Sequence, residues 1–138
     1  MDLEKIFQKQ RELNLKINPN LDEEFKDPEL RKKWFMQFEL ALRQECSEAI
    51  DSLSWKWWKK MEDDWDNVKI ELVDILHFWV SMCQAAGLSP QEVNDLYFKK
   101  NELNNKRQNE GYKTGDYQKV VNGVEDNRHL LHQQSQQQ

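Results

Sequence analysis

The sequence predicts an all-α protein with a four-helix-bundle-like architecture, and three observations carry that expectation. Glycine occurs four times and proline three times in 138 residues. No run alternates with the two-residue period of a strand, and apolar residues recur at helical spacing along four segments. Two acidic pairs, Glu45-x-x-Glu48 and Glu71-x-x-Asp74, lie inside two of those segments rather than in the polar stretches between them. The length fits one domain with a modest core, small enough for a partner subunit to help complete it.

The first helix is expected from about Leu3 to Lys16, with Leu3, Ile6, Phe7, Gln10, Leu13 and Asn14 along one side. A polar loop through Asn18-Pro19-Asn20 follows. Asp27-Pro28 supplies an N-cap and a proline at the first helical position. The second helix then carries Leu30, Trp34, Phe38, Leu42, Ala49 and Leu53 on one stripe, and Glu45 falls within it. A Trp-rich, charged loop from Trp55 to Asp66 leads to a third helix, roughly Asn67 to Ala86, ended by Gly87. Ser89-Pro90-Gln91-Glu92 is a capping box that opens a fourth helix running to about Asn109. Past Gly115 the chain is polar and turn-rich. Residues 1–128 are read as the folded domain, and the Gln-rich 129–138 as a disordered tail.

Composition excludes several classes. A net charge of −5 with 33% charged residues argues against a broad nucleic-acid surface. No apolar stretch is long enough to span a bilayer. The N-terminus lacks the basic and apolar regions of a signal peptide, so a cytoplasmic protein is expected. Cys46 and Cys83 read as reduced core thiols.

The third helix is apolar almost all round, with Ile70, Leu72, Val73, Ile75, Leu76, Phe78 and Trp79 surrounding its acidic pair. Residues three apart share a helix face, so Glu71 and Asp74 form one stripe with little access to water. Unpaired buried carboxylates are costly and are normally neutralised, paired or bound to metal. Four oxygen donors with no matching run of Lys or Arg select Mg²⁺ or Mn²⁺ over zinc or copper. Mg²⁺ is usually completed by substrate phosphates, which points to a phosphorylated substrate. For Glu45 and Glu48 alone, solvated surface charge is the better reading. A di-iron bundle needs Glu-x-x-His from two helices, and the chain offers a single Asp74-x-x-His77.

Other residues are more ambiguous. Lys100, Asn104 and Arg107 share a face of the fourth helix, and with Lys113 and Lys119 they make a basic segment in an acidic protein. Each alone is an ordinary solvated residue. Together, beside an acidic metal site, they suit a phosphate clamp. The Trp55-Lys-Trp-Trp58 run reads as subunit interface or as the wall of a base pocket, interface being favoured. Gln10 and Asn14 are amides one turn apart, ordinarily surface residues yet able to pair with a pyrimidine edge. His77 reads equally as bonded to its neighbours or as contacting substrate.

These residues resemble a known family. Glu45-Cys-Ser-Glu48, the segment from Ile50 through Trp55-Lys-Trp-Trp-Lys59, and Glu71-Leu-Val-Asp-Ile-Leu-His77 look like the dimeric all-α dUTPases, within the all-α NTP pyrophosphatase superfamily that includes MazG-like enzymes. The likeness continues through Lys100-Asn-Glu-Leu-Asn104, Arg107, Gly111-Tyr-Lys113, Tyr117 and Asn122-Gly-Val-Glu-Asp-Asn127, covering nearly all of 10–127. It implies Mg²⁺-dependent hydrolysis of dUTP, with dUDP also accepted, to dUMP by a metal-activated water, in a homodimer. It also implies Glu45, Glu48, Glu71 and Asp74 as metal ligands. Lys100, Arg107, Tyr112 and Lys119 become phosphate contacts, and Asn104 a sugar or phosphate contact. Gln10, Asn14, Trp57 and His77 become the base and deoxyribose pocket, and Asn127 helps close the site. Long family members insert a helical region where this chain crosses with Gly87-Leu88-Ser89 only. The alternatives are the same chemistry on another deoxynucleotide such as dCTP, and a non-catalytic helical module that binds a nucleotide or a partner helix.

Overall fold

The structure, a computed structural model, describes residues 1–132. Most of the expected disordered tail, 133–138, lies outside the described residues. The all-α expectation is met. Helices α1 (Leu3–Ile17), α2 (Leu21–Glu24), α3 (Pro28–Asp51), α4 (Trp65–Ala85), α5 (Pro90–Asn109) and α6 (His129–His132) are joined by loops and one small hairpin, β1 (Val120–Val121) and β2 (Val124–Glu125). The chain divides into two compact units, Met1–Ser89 and the residues from Pro90 onward.

In the first unit the helix starts follow local chemistry. Asp27 accepts hydrogen bonds from the Glu29 and Leu30 amides at 2.9 and 3.2 Å, satisfying donors that the first turn leaves open. Asp64 does the same for Asn67 N at 2.9 Å, so α4 begins at Trp65, two residues earlier than periodicity alone suggests. Helices α3 and α4 run antiparallel. At one end Arg31 donates to the carbonyls of Ala85 (2.6 Å) and Ala86 (3.1 Å), placing a cation on the C-terminus of α4. At the other end Ser52 O accepts from Asp64 N at 2.8 Å, and Ser52 Oγ accepts from Asn67 at 2.7 Å. Helix α1 lies against α4, where Gln84 donates to Phe7 O at 2.8 Å and the Phe7 ring meets Trp79 edge-on.

Helix α2 lies in what periodicity reads as loop. It forms because Leu21 is buried, and because Glu24 accepts from Asn18 at 2.8 Å and from Trp34 Nε1 at 2.6 Å. Phe7, Leu21, Phe38, Val68, Val80, Cys83 and Ala85 form the core. Burial pushes the Cys83 thiol up to about 11, so it stays a protonated core group. Both cysteines are free. One expectation fails within a single chain: α4 is not covered all round. Ile70, Leu72 and Val73 remain more than half exposed, because α1 and α3 cover only part of its circumference.

In the second unit the chain after α5 turns at Gly111, where φ is +94° and an added Cβ would sit 2.8 Å from Asp116 Cβ. The hairpin that follows pairs Val120 with Glu125 and Val121 with Val124. Its turn is Asn122-Gly123, both at positive φ, the backbone that two-residue hairpin turns require. Asn-Gly between Val-Val and Val-Glu is the signal by which the sequence could have revealed it. Asp126–Arg128 form a 3-10 turn, and His129–His132, assigned to the tail by composition, form α6. No single helix among the described residues is long and apolar enough to cross a membrane.

Candidate active site

The antiparallel pairing of α3 and α4 brings the two acidic motifs together. Glu45, Glu71 and Asp74 each offer a carboxylate oxygen within 4.8 Å of the others, and all three are half-buried. Glu48, one turn beyond Glu45, is exposed and stands outside the trio, but it hydrogen-bonds Glu45 from the solvent side. Glu71 is braced from its own helix by Asn67, whose side-chain amide donates to Glu71 Oε1 at 3.1 Å and to Ser52 Oγ at 2.7 Å. Spacing alone did not single out Asn67, although it stands one turn before Glu71.

Electrostatics show what this cluster lacks. Hydrogen bonds with Glu48 and then Glu71, together with desolvation and the charges of both neighbours, push the Glu45 carboxyl up to about 8 from an ordinary 4.5. Every influence acts in the same direction, so no cation among the described residues offsets the repulsion. Converging hard oxygen donors whose own charges hold a proton at neutral pH fit a divalent cation of the Mg²⁺ class.

A pH dependence follows for the protein without divalent cation. The folded-state pKa of Glu45 lies above its unfolded value, so the folded state binds the extra proton. The resulting stability is full below about 4.5 and is lost as pH rises through about 8. Thermal unfolding in the presence of chelator is expected to show a Tm that declines across this window, and Glu45→Gln is expected to flatten the decline.

Of the four residues that the resemblance implies for a base and sugar pocket, Gln10, Asn14 and His77 come together. Gln10 and Asn14 are buried, not on the surface. Gln10 Nε2 donates to Asn14 Oδ1 at 3.0 Å, and Asn14 Nδ2 donates to Ser81 Oγ at 2.9 Å. Gln10 and His77 line one groove of about 630 Å³, whose other walls are Ile6, Leu13, Val73 and Leu76, with Asp2, Lys5 and Lys9 at its edge. His77 Nδ1 lies 2.9 Å from the Val73 carbonyl, which can only accept, so the proton belongs on Nδ1. Trp57 does not line this groove. It is 88% exposed, with its ring edge-on to Trp58 at 4.5 Å.

The second unit engages its basic residues unequally. Arg107 is only 7% exposed. Its guanidinium forks onto both oxygens of Asp126, with Nε to Oδ2 at 2.9 Å, and Nη1 reaches Asn104 Oδ1 at 3.4 Å. Tyr117 donates to Asp126 Oδ2 at 2.6 Å, and Arg107 and this hydroxyl hold the Asp126 carboxyl well below its usual range. Lys119 pairs with Glu125 at 2.8 Å. Lys100 and Asn127 line one groove of about 350 Å³. Tyr112 is exposed and lies beside Tyr117.

The chain is thus all-α, with three carboxylates converging on an antiparallel helix pair. The sequence model of a family described as dUTPase matches residues 2–84 and 79–112, so this chain is a member of that dUTPase family. The two matched stretches meet at the end of α4, next to the short Gly87-Leu88-Ser89 crossing. The dCTP pyrophosphatase of Enterobacteria phage T4 is 42% identical over 50 residues, 36% of this chain and 29% of that protein. The dCTP pyrophosphatase of Enterobacteria phage LZ5 is 35% identical over 74 residues, 44% of this chain and 43% of its own length. The chain thus spans less than half the length of the curated relatives it matches.

Proposed function

We propose that the protein is a Mg²⁺-dependent pyrophosphohydrolase that converts dUTP to dUMP and pyrophosphate. The observation that carries this reading is the convergence of Glu45, Glu71 and Asp74, with no cation among the described residues opposing the upward push on the Glu45 carboxyl, in a member of the dUTPase family. Glu45, Glu71 and Asp74 would hold the divalent ion, with Mn²⁺ as a substitute for Mg²⁺. Bound there, such an ion supplies Lewis-acid charge that lowers the pKa of water and offsets phosphate charge. Asn67 fixes the direction of Glu71. Glu48, on the exposed side of the cluster, would orient a water and accept its proton. The apolar groove beside Gln10 and His77 excludes water from a pyrimidine and deoxyribose. Lys100 and Asn127, sharing a groove in the second unit, are proposed as phosphate contacts. Arg107 is instead proposed to hold the C-terminal hairpin.

The reading includes a cytoplasmic homodimer. The homodimer is supported by the exposed Ile70 and Leu72 on α4 and by the exposed Trp55, Trp57 and Trp58, apolar surface that a second copy would cover. Light scattering of the purified protein tests it. A second substrate, dCTP, is favoured by the names of the phage relatives. Incubation with each deoxynucleoside triphosphate and Mg²⁺, with products separated by ion exchange, tests the assignment. Release of pyrophosphate and dUMP, most efficient with dUTP, is expected. Turnover of dCTP alone would replace uracil by cytosine, and no turnover of any substrate would sink the enzymatic reading.

A further inference from the structure

The buried amides at the floor of the α1–α4 groove form a directed chain. Gln10 Nε2 donates to Asn14 Oδ1, Asn14 Nδ2 donates to Ser81 Oγ, and Ser81 Oγ donates to the His77 carbonyl at 2.9 Å. Ser81 is fully buried, so water cannot substitute for any partner there. The last member is a helix carbonyl, which can only accept. A serine hydroxyl has one proton. While that proton is committed to His77 O, Ser81 Oγ must accept from Asn14, Asn14 must turn its oxygen to Gln10, and Gln10 must answer with its NH₂. Reversing both amides keeps two of the three bonds and forfeits the one to His77 O.

We infer that Ser81 is a specificity-determining positioning residue, which fixes the order of acceptor and donor that Gln10 presents to a pyrimidine in the groove. The inference rests on the proposed reading that this groove takes the base. Gln10 Oε1 accepts no hydrogen bond among the described residues, so the amide carbonyl is the group left for a ligand, beside its second N–H. A ligand matched to it is a flat heterocycle carrying a donor next to an acceptor, held between Ile6, Leu13, Val73 and Leu76. Uracil and cytosine both carry such an edge, in opposite order: donor at ring position 3 and acceptor at 4 in uracil, the reverse in cytosine. A freely flipping amide serves either base. A locked one serves a single base in a given pose, because the wrong order sets donor against donor and acceptor against acceptor. Ser81 never touches the ligand and acts through Asn14 and Gln10.

The test uses Ser81→Ala, which removes only an oxygen from a helix-interior position, in the full chain with two readouts. The first is the ratio of kcat/KM for dUTP and dCTP with Mg²⁺. The second, which needs no turnover, is the ratio of affinities for deoxyuridine and deoxycytidine by calorimetry. The base preference of the wild type is expected to shrink by roughly tenfold, the worth of one hydrogen bond placed correctly or wrongly, while the Mg²⁺ dependence stays unchanged. A companion variant, Ser81→Thr, keeps a hydroxyl that donates to the His77 carbonyl and accepts from Asn14, so it is expected to retain the wild-type preference. A folded Ser81→Ala protein with the wild-type preference overturns the inference, as does a wild type that binds both nucleosides equally. A wild type that hydrolyses neither triphosphate but discriminates the nucleosides, and loses this on Ser81→Ala, upholds the inference and rejects the proposed function.

Discussion

Glu71→Gln is expected to abolish measurable turnover while leaving the fold intact. Glu71 is one of three carboxylates converging within 4.8 Å, and the amide keeps its shape and its acceptor for Asn67 while removing the charge. In the proposed role of Glu71 as a metal ligand, loss of its charge forfeits several kcal/mol of charge stabilisation. At about 1.4 kcal/mol per decade, that is a rate reduction of roughly a thousandfold or more. The same change removes one of the two carboxylate charges that repel Glu45, so the cation-free variant is expected to melt higher than the cation-free wild type at pH 8. Mg²⁺ should raise the Tm of the wild type by binding only its folded state, and this increment should vanish in the variant. Single-turnover assays and paired melting curves with chelator and with Mg²⁺ check both expectations. Near-normal turnover would mean that the carboxylate cluster is not the catalytic centre.

Arg107→Ala is expected to release the C-terminal hairpin from α5. The guanidinium is nearly fully buried and forks onto both oxygens of Asp126, which also accepts from Tyr117. Removing it leaves Asp126 partly buried and without its counter-ion, a change that costs about 3–5 kcal/mol in comparable settings. Hydrogen exchange should accelerate from 111 to 128. Arg107→Lys should rescue little, because an ammonium cannot fork across two oxygens. Arg43→Ala is the control: it breaks the exposed pair with Glu39 and should shift stability by no more than about 0.5 kcal/mol. The wild-type ion pair also sets an acid limit. The folded pKa of Asp126 lies below its unfolded value, so its contribution is present above about 3.8 and is lost as pH falls through the depressed folded pKa. Unchanged exchange in 111–128 of Arg107→Ala would show that the hairpin is held by other contacts.

What this chain determines by sequence alone is what depends on neighbours a few residues apart. Periodicity of 3.6, Asp27-Pro28 and Ser89-Pro90 locate α3 and α5, and Glu71-x-x-Asp74 on an apolar helix identifies the acidic stripe, because a helix face is set by spacing. The Asn122-Gly123 turn was equally local and therefore equally legible. Helix α2 was not, since it depends on Trp34 reaching back to Glu24. The tertiary structure decided which groups meet across the fold. It set three carboxylates together with Glu48 at their edge. It buried Gln10 and Asn14 against Ser81, 67 residues along from Asn14. It tied Arg107 to Asp126, 19 residues away. Spacing reports direction within an element, whereas hydrogen-bond satisfaction and ion pairing are fixed only when separate elements pack and water is excluded between them.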